Sequence, residues 1–174
     1  MSLRLRHFVA SIGALALVAT GVSYIVVSPV AAGTQTASLA ISASVANNCT
    51  ISTAPVAFGS YDPVVTHASA NLDAAGTVTI ACTKGSVTPV DLNLGSNASG
   101  SVRRMSDGGT NYLNYELYQD SGRTTVWGAG ASGYTPVAAT SKAGRDFTVF
   151  ARVPSGQDVP AGSYGDSVTA TVNF

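Results

Sequence analysis

The sequence predicts a single all-β domain, built as an antiparallel sandwich or barrel. Apolar and polar residues alternate with a period of two in several short runs, and clusters of Gly, Pro, Asp and Ser separate these runs. Strong helix formers are scarce, since Glu116 is the only glutamate and Lys84 and Lys142 are the only lysines. No segment keeps a helical period for three turns, which excludes an all-helical or coiled-coil protein.

Length, charge and hydropathy narrow the class further. The chain has 174 residues, and 9 Lys and Arg balance 9 Asp and Glu. This length suits one domain, and the zero net charge removes the broad electrostatic footprint of a nucleic-acid-binding protein. Apolar residues make up 45% of the chain, enough to bury a core, so disorder is not expected.

Residues 1–32 are predicted to be a secretory signal peptide. Two arginines within the first six residues precede an apolar stretch over residues 8–27, and Val30-Ala31-Ala32 then supplies the small residues of a cleavage site. We expect cleavage after Ala32. A retained membrane anchor is the alternative, because the apolar stretch approaches the length that spans a bilayer.

Export affects the interpretation of the two cysteines, Cys49 and Cys82. An even number of cysteines in an exported chain predicts one disulfide in place of a metal site or a catalytic thiol. A zinc ion needs more ligands than these two residues and His67, the only histidine after the predicted cleavage site, can readily provide.

The alternating runs define the expected strands in chain order. Each places apolar residues on one face and polar residues on the other, as in half-buried antiparallel strands. The predicted strands are residues 77–83, 90–94, 111–119, 146–153 and 167–174.

One further alternating run lies just after the predicted cleavage site. Its apolar residues are Ala37, Leu39, Ile41, Ala43 and Val45, and the intervening residues are Ser or Ala. A charge-free strand of nine residues spans about 30 Å and has to be buried against something. The period leaves two arrangements open: pairing within its own chain, or strand addition to another copy.

Four motifs together resemble the spore coat protein U domain family, which includes the subunits of archaic chaperone-usher pili. They are Asn48-Cys49-Thr50-Ile51-Ser52, residues 56–63 (VAFGSYDP), residues 76–82 (GTVTIAC) and the closing residues 162–174 (GSYGDSVTATVNF). The middle of the chain is similar too, with LNYELY at residues 113–118 followed by RTTVWG at residues 123–128.

The resemblance implies an incomplete immunoglobulin-like antiparallel β-sandwich with an N-terminal donor strand. The domain would then comprise an extension over residues 33–46 and a sandwich over residues 47–174. Ala37, Leu39, Ile41, Ala43 and Val45 would be the donor side chains, Cys49 and Cys82 the family's disulfide, and part of the acceptor groove would be lined by Val168, Ala170, Val172 and Phe174.

The same resemblance implies a function and a set of partners. The chain would pass through the periplasm with a chaperone, cross the outer membrane through an usher, and join neighbouring subunits in a surface pilus that supports adhesion and biofilm formation. The alternatives are a spore or cell coat protein of the same family and a monomeric secreted binding module. A sugar could stack on Tyr112, Tyr118 and Trp127 in such a module, although packing is the preferred role of these residues.

No catalytic residue, metal or cofactor is predicted, and no small-molecule substrate or nucleic acid is expected as a partner. The G-x-G-x-x-G match at residues 128–133 leads into Tyr134-Thr135-Pro136, so we expect a loop in place of the helix N-terminus that a dinucleotide requires. We expect His67 to be a solvated loop residue, and Arg103 and Arg104 to be a solvated edge.

Overall fold

The computed structural model describes residues 27–174, so most of the predicted signal peptide lies outside the described residues. The chain divides into two compact units at Ser42 and Ala43. Residues 27–48 form no helix or strand, and all of them are exposed. Within residues 27–174, no helix has the length and hydrophobicity needed to cross a membrane.

The unit that begins at Ala43 is an antiparallel β structure of seven strands and one turn of 3-10 helix, Gly130–Ser132. The strands are β1 (Cys49–Ala54), β2 (Leu72–Cys82), β3 (Val90–Leu92), β4 (Arg103–Ser106), β5 (Tyr112–Tyr118), β6 (Arg145–Val153) and β7 (Ala170–Val172). Five of them form one sheet in the order β1-β2-β6-β5-β4, and β3 pairs with β7 in the other.

All five alternating runs predicted after residue 47 contain a strand, with altered bounds. β2, predicted as residues 77–83, begins five residues earlier, at Leu72. β7, predicted as residues 167–174, is limited to Ala170–Val172. The alternation did not reveal β1 and β4. Only Cys49 and Ile51 of β1 face inward, and the inward position at the start of β4 is occupied by Arg103.

The two sheets are joined along one side, so the structure curls around its core. Ser106 of β4 exchanges two backbone hydrogen bonds with Gly165, which precedes β7. Trp127 donates its backbone N–H to Leu117 of β5, and Gly128 accepts from Leu92 of β3. The core between the sheets contains Val78, Ile80, Cys82, Val90, Leu92, Leu113, Tyr115, Leu117, Trp127, Ala139, Val149, Ala151 and Val153.

Trp127 packs in this core, as preferred from the sequence. Its side chain is buried, and its indole N–H donates to the carbonyl of Val90 at 2.8 Å. Cys49 and Cys82 lie opposite each other at one end of β1 and β2, and they form the predicted disulfide.

Arg103 corrects the expectation of a solvated edge, because its side chain is completely buried. It forms an ion pair with Glu116 of β5 and donates to the carbonyls of Leu92, Asn93 and Trp127 at 2.8–3.0 Å. A guanidinium group can satisfy this many acceptors at once because it carries five N–H donors in a fixed fork. Arg103 therefore links the five-stranded sheet to β3.

His67 also differs from its expected place in a solvated loop. It is buried, it stacks on Tyr61 with ring centroids 4.9 Å apart, and its Nδ1 accepts the backbone N–H of Asp62. The hydrogen bond from Gly156 to the carbonyl of His67 attaches this turn to the end of β6. The role of His67 is thus to shape the turn after residue 61.

Replacing Arg103 with Met tests the link between the sheets. We expect the free energy of unfolding to fall by about 3–5 kcal/mol, because Glu116 and three carbonyls lose a buried partner. Arg104→Met is the matched control, since Arg104 is only half-buried and donates to a single carbonyl, that of Asn97. Denaturant unfolding measures both changes, and equal losses would contradict the assigned role.

Candidate functional site

Between β1 and the segment 159–172, on the edge of that segment that is not bonded to Ser106, the two sheets are not joined. We call this gap the seam. Its first rim is β1 and the continuing segment to Tyr61, and its second rim is the segment 159–172, which ends in β7. Residues 53–58 face residues 164–170, and residues 56–63 face residues 159–164, so the two rims run in opposite directions.

The first rim has an open backbone edge. β1 is the outermost strand of the five-stranded sheet, and the carbonyl of Asn48 accepts a hydrogen bond from Thr83 beside β2. Backbone groups alternate between the two sides of a strand, so those of Cys49, Ile51 and Thr53 point away from β2. Along residues 27–174, no strand pairs with this side of β1.

The second rim has an open edge of the same kind. Gly165, Ser167 and Thr169 use their backbone groups to bind Ser106, Ser96 and Asn93. The intervening residues Val168 and Ala170 therefore direct their N–H and C=O groups toward the seam. The described part of the chain supplies no backbone partner for these groups.

Two adjacent cavities lie along the seam, with volumes of about 350 and 590 Å³. Both are lined by Val56, Phe58, Met105 and Tyr164. Core residues of β3 and β5 form the floor of the seam: Leu92, Leu113, Tyr115 and Leu117. The seam thus gives access to the apolar core between two unpaired strand edges.

Gly76 allows the first rim to lie close to β2. A Cβ built at this residue would be 2.7 Å from Cγ2 of Val56 and 2.9 Å from the carbonyl oxygen of Ala54. Any side chain here would push the rim outward. The first residue of the GTVTIAC motif therefore has to be glycine for the first rim to pack against β2.

One polar pair interrupts the apolar lining. The hydroxyl of Tyr115 donates to Asp166 at 2.6 Å, and the other carboxylate oxygen of Asp166 accepts from the backbone N–H groups of Ser96 and Asn97. Burial and then the hydrogen bond to Asp166 raise the pKa of Tyr115 well above its usual range. This pair fixes the second rim to the floor of the seam.

The predicted groove residues occupy different positions along the second rim. Val168 and Ala170 line the smaller cavity, whereas Val172 packs against the core beyond it and Phe174 is 62% exposed. Sequence reasoning missed the first rim and the floor. The VAFGSYDP motif over residues 56–63 marked the second part of that rim, but its period did not show which side chains face the seam.

The predicted donor residues lie in the segment without secondary structure. Leu39, Ile41 and Val45 are 84–87% exposed, and Ala37 and Ala43 are exposed as well. Large apolar side chains at this exposure are available to another surface.

The described residues contain no group of three or more His, Cys, Asp or Glu side chains that could hold a metal ion. The G-x-G-x-x-G match contains the single 3-10 turn Gly130–Ser132, as expected for a loop and not for the start of a long helix.

Known proteins match this chain over most of its length. The family model described as Spore Coat Protein U domain matches residues 35–171. Protein U of Myxococcus xanthus is 34% identical over 92% of this chain and 97% of its own length.

The fold also resembles that of a solved chain. One chain of the CsuC–CsuE chaperone and tip adhesion subunit complex, from the archaic Csu pili of Acinetobacter baumannii, matches with a TM-score of 0.56 and 24% identity. The match covers 75% of this chain and 40% of that one, so the present chain spans about two fifths of its length. HdaB, the minor tip subunit of the Escherichia coli Hda pilus, matches 71% of this chain and 79% of its own at 18% identity, with a TM-score of 0.38. The expected immunoglobulin-like sandwich is confirmed.

Replacing Tyr115 with Phe tests the polar pair at the floor. We expect the free energy of unfolding to fall by about 1–2 kcal/mol, because Asp166 loses a charge-assisted hydrogen bond in a half-buried place. Tyr112→Phe removes a hydroxyl from an exposed side chain of the same strand and serves as the control. Thermal unfolding measures both, and an unchanged Tyr115→Phe variant would contradict the role of the pair.

Proposed function

The chain belongs to the Spore Coat Protein U domain family, and we propose that it is a structural subunit of a surface fibre assembled by the chaperone-usher pathway. In this proposal the N-terminal extension of one copy fills the seam of the next by donor-strand exchange. The fibre would support adhesion and biofilm formation.

The observation that carries the proposal is the match between the seam and the extension. The seam offers two open backbone edges on either side of an apolar floor. Residues 37–45 offer an apolar side chain at every second position and no charge. A strand added to a sheet edge gains affinity from main-chain hydrogen bonds and specificity from alternate side chains, and this segment can supply both.

The lengths are compatible as well. The first rim, residues 49–61, is longer than the predicted donor strand, residues 37–45, and nine extended residues span about 30 Å, so the strand can lie within the rim. Leu39, Ile41 and Val45 would each contribute roughly 1.5–3 kcal/mol on full burial. Ala37 and Ala43 would add less, so we expect the seam to be shallow where they bind.

Strand exchange between copies produces a linear polymer of subunits. The donor segment and the seam are different surfaces of one molecule, so each copy can give a strand to one neighbour and receive a strand from another. A contact of this kind does not close on itself and propagates as a filament. Head-to-tail association of identical or related subunits follows.

A chaperone and an usher complete the proposed pathway. An open seam with two unpaired edges is an aggregation hazard until a strand fills it. A periplasmic chaperone that lends a strand would protect the subunit after the signal peptide, residues 1–32, is removed. We propose residues 33–46 as the donor extension and residues 47–174 as the sandwich.

A second candidate is a coat layer on a spore or cell. The family description names the spore coat, and the M. xanthus relative matches nearly its whole length. The same strand exchange could build such a layer. Electron microscopy of the cell surface separates the candidates, since thin fibres support a pilus and a continuous layer supports a coat.

Replacing Ile41 with Asp tests strand exchange. A carboxylate placed in the apolar seam should weaken binding by about 3 kcal/mol or more, which is over a hundredfold in affinity, and fibres should be lost. Immunogold electron microscopy of producing cells measures the outcome.

The control is Ser42→Asp, which places the same charge on the opposite face of the same segment and should leave fibres intact. Normal fibres from the Ile41→Asp chain would contradict the proposal. Loss of fibres from both variants would show that charge alone, and not its position, is harmful.

A further inference from the structure

We propose that successive subunits also touch through two pairs of exposed valines at opposite ends of the sandwich, so that the fibre is stiffened by a contact outside the donor strand. The partner surface is a second copy of this chain. This inference rests on the proposed function.

The link between the donor strand and β1 is short. Only Ala46, Asn47 and Asn48 separate Val45 from Cys49, and these four extended steps span about 13 Å. A neighbouring subunit that binds the donor strand must therefore lie close to the end of the sandwich where β1 begins. We call this end, marked by Cys49 and Cys82, the exit end.

The link is fixed to the body of the subunit. The hydroxyl of Thr83 donates to the carbonyls of Ala46 and Asn48 at 3.3 Å and accepts the N–H of Asn48 at 3.0 Å. The side chain of Asn47 accepts a hydrogen bond from the Ser86 hydroxyl. Thr83 and Ser86 thus hold residues 46–48 at the start of β1.

An exposed apolar pair lies beside this exit. Ser86 is followed by Val87, and the segments 85–90 and 134–139 run antiparallel, because Ala139 donates to Ser86 and Val90 exchanges hydrogen bonds with Tyr134. This pairing brings Val87 near Val137, and the two side chains are 57% and 81% exposed. Val87 and Val137 form the exit patch.

A second exposed pair lies at the other end, where β2 begins and β6 ends. Val64 and Val65 are 81% and 75% exposed. Their N–H groups donate to Oδ1 of Asp62 at 3.0 and 3.1 Å, which holds the turn in one shape and lowers the pKa of Asp62. The hydroxyl of Tyr61 binds the carbonyl of Pro154 and so ties the turn to the end of β6. Val64 and Val65 form the far patch.

Head-to-tail assembly would bring these patches together. If a donor strand runs through the seam so that its Val45 emerges at the far end, the exit end of the donating subunit meets the far end of the receiving subunit. Both patches are then covered by each other. If the donor strand ran through the seam in the opposite direction, the exit ends of the two subunits would meet. Every far patch would then stay exposed to water. Since the donor strand already tethers the two bodies, even a small contact forms effectively within one molecule.

The test is a charge exchange between the patches in the full chain, with fibres examined by negative-stain electron microscopy. Val137→Asp should shorten the persistence length of the fibre at least about twofold, and adding Val65→Lys should restore it through a new ion pair. Val126→Asp, at a 42% exposed valine outside both patches, is the matched control and should leave the stiffness unchanged.

Each outcome decides the inference. A normal persistence length for Val137→Asp, or no rescue by Val65→Lys, overturns the contact while the proposed function stands. If Val137→Asp forms no fibres although its thermal unfolding is unchanged, rescue by Val65→Lys still supports the contact. If Val137→Asp does not fold, Val137→Ser replaces it, with the same criterion on stiffness. Absence of fibres from the wild-type chain overturns the proposed function, and this inference falls with it.

Discussion

The unpaired backbone edges along the seam are the constraint on which the rest of the structure depends. Ser106 and Gly165 join the two sheets on one edge, whereas β1 and β7 face each other with outer N–H and C=O groups that have no backbone partner among residues 27–174. Such edges bind any extended chain that fits. The apolar floor below them, formed by residues such as Leu92 and Leu117, favours a strand with alternating apolar side chains. The proposed function therefore rests on these two open edges.

A sandwich with an open side needs strong links elsewhere. The disulfide between Cys49 and Cys82 holds one end of β1, which has a partner strand on one side only. Arg103 joins β3 to β4 and β5 from inside the core, where replacing it would leave several acceptors unsatisfied. Tyr115 and Asp166 hold the second rim against the floor. These links lie around the seam and leave its edges free, so the domain keeps its shape without occupying the site.

The strands in which apolar and polar residues alternate could be predicted from the sequence. Residues such as Val78 and Ile80 alternate cleanly with threonines, and the predicted strand is present. The sequence did not predict β4, because Arg103 resembles a surface residue until its burial and its four partners, Glu116 and the carbonyls of Leu92, Asn93 and Trp127, are known. The same holds for His67, whose burial comes from stacking on Tyr61. In the site, the second rim was partly predicted from Val168 and Ala170, whereas the first rim lacks regular alternation and its place depends on the close approach over Gly76.

The most direct test of the account is whether the seam accepts the extension as a separate strand. The chain from Gly33 carrying Ile41→Asp, which disables its own extension, is melted alone, with a peptide of residues 33–45, and with the same peptide carrying Ile41→Asp. We predict that only the native peptide raises the melting temperature, by several degrees at a concentration well above its dissociation constant, because a ligand that binds only the folded state stabilises it. A melting temperature that ignores the native peptide, in a stable monomer, would contradict an open seam that receives this strand.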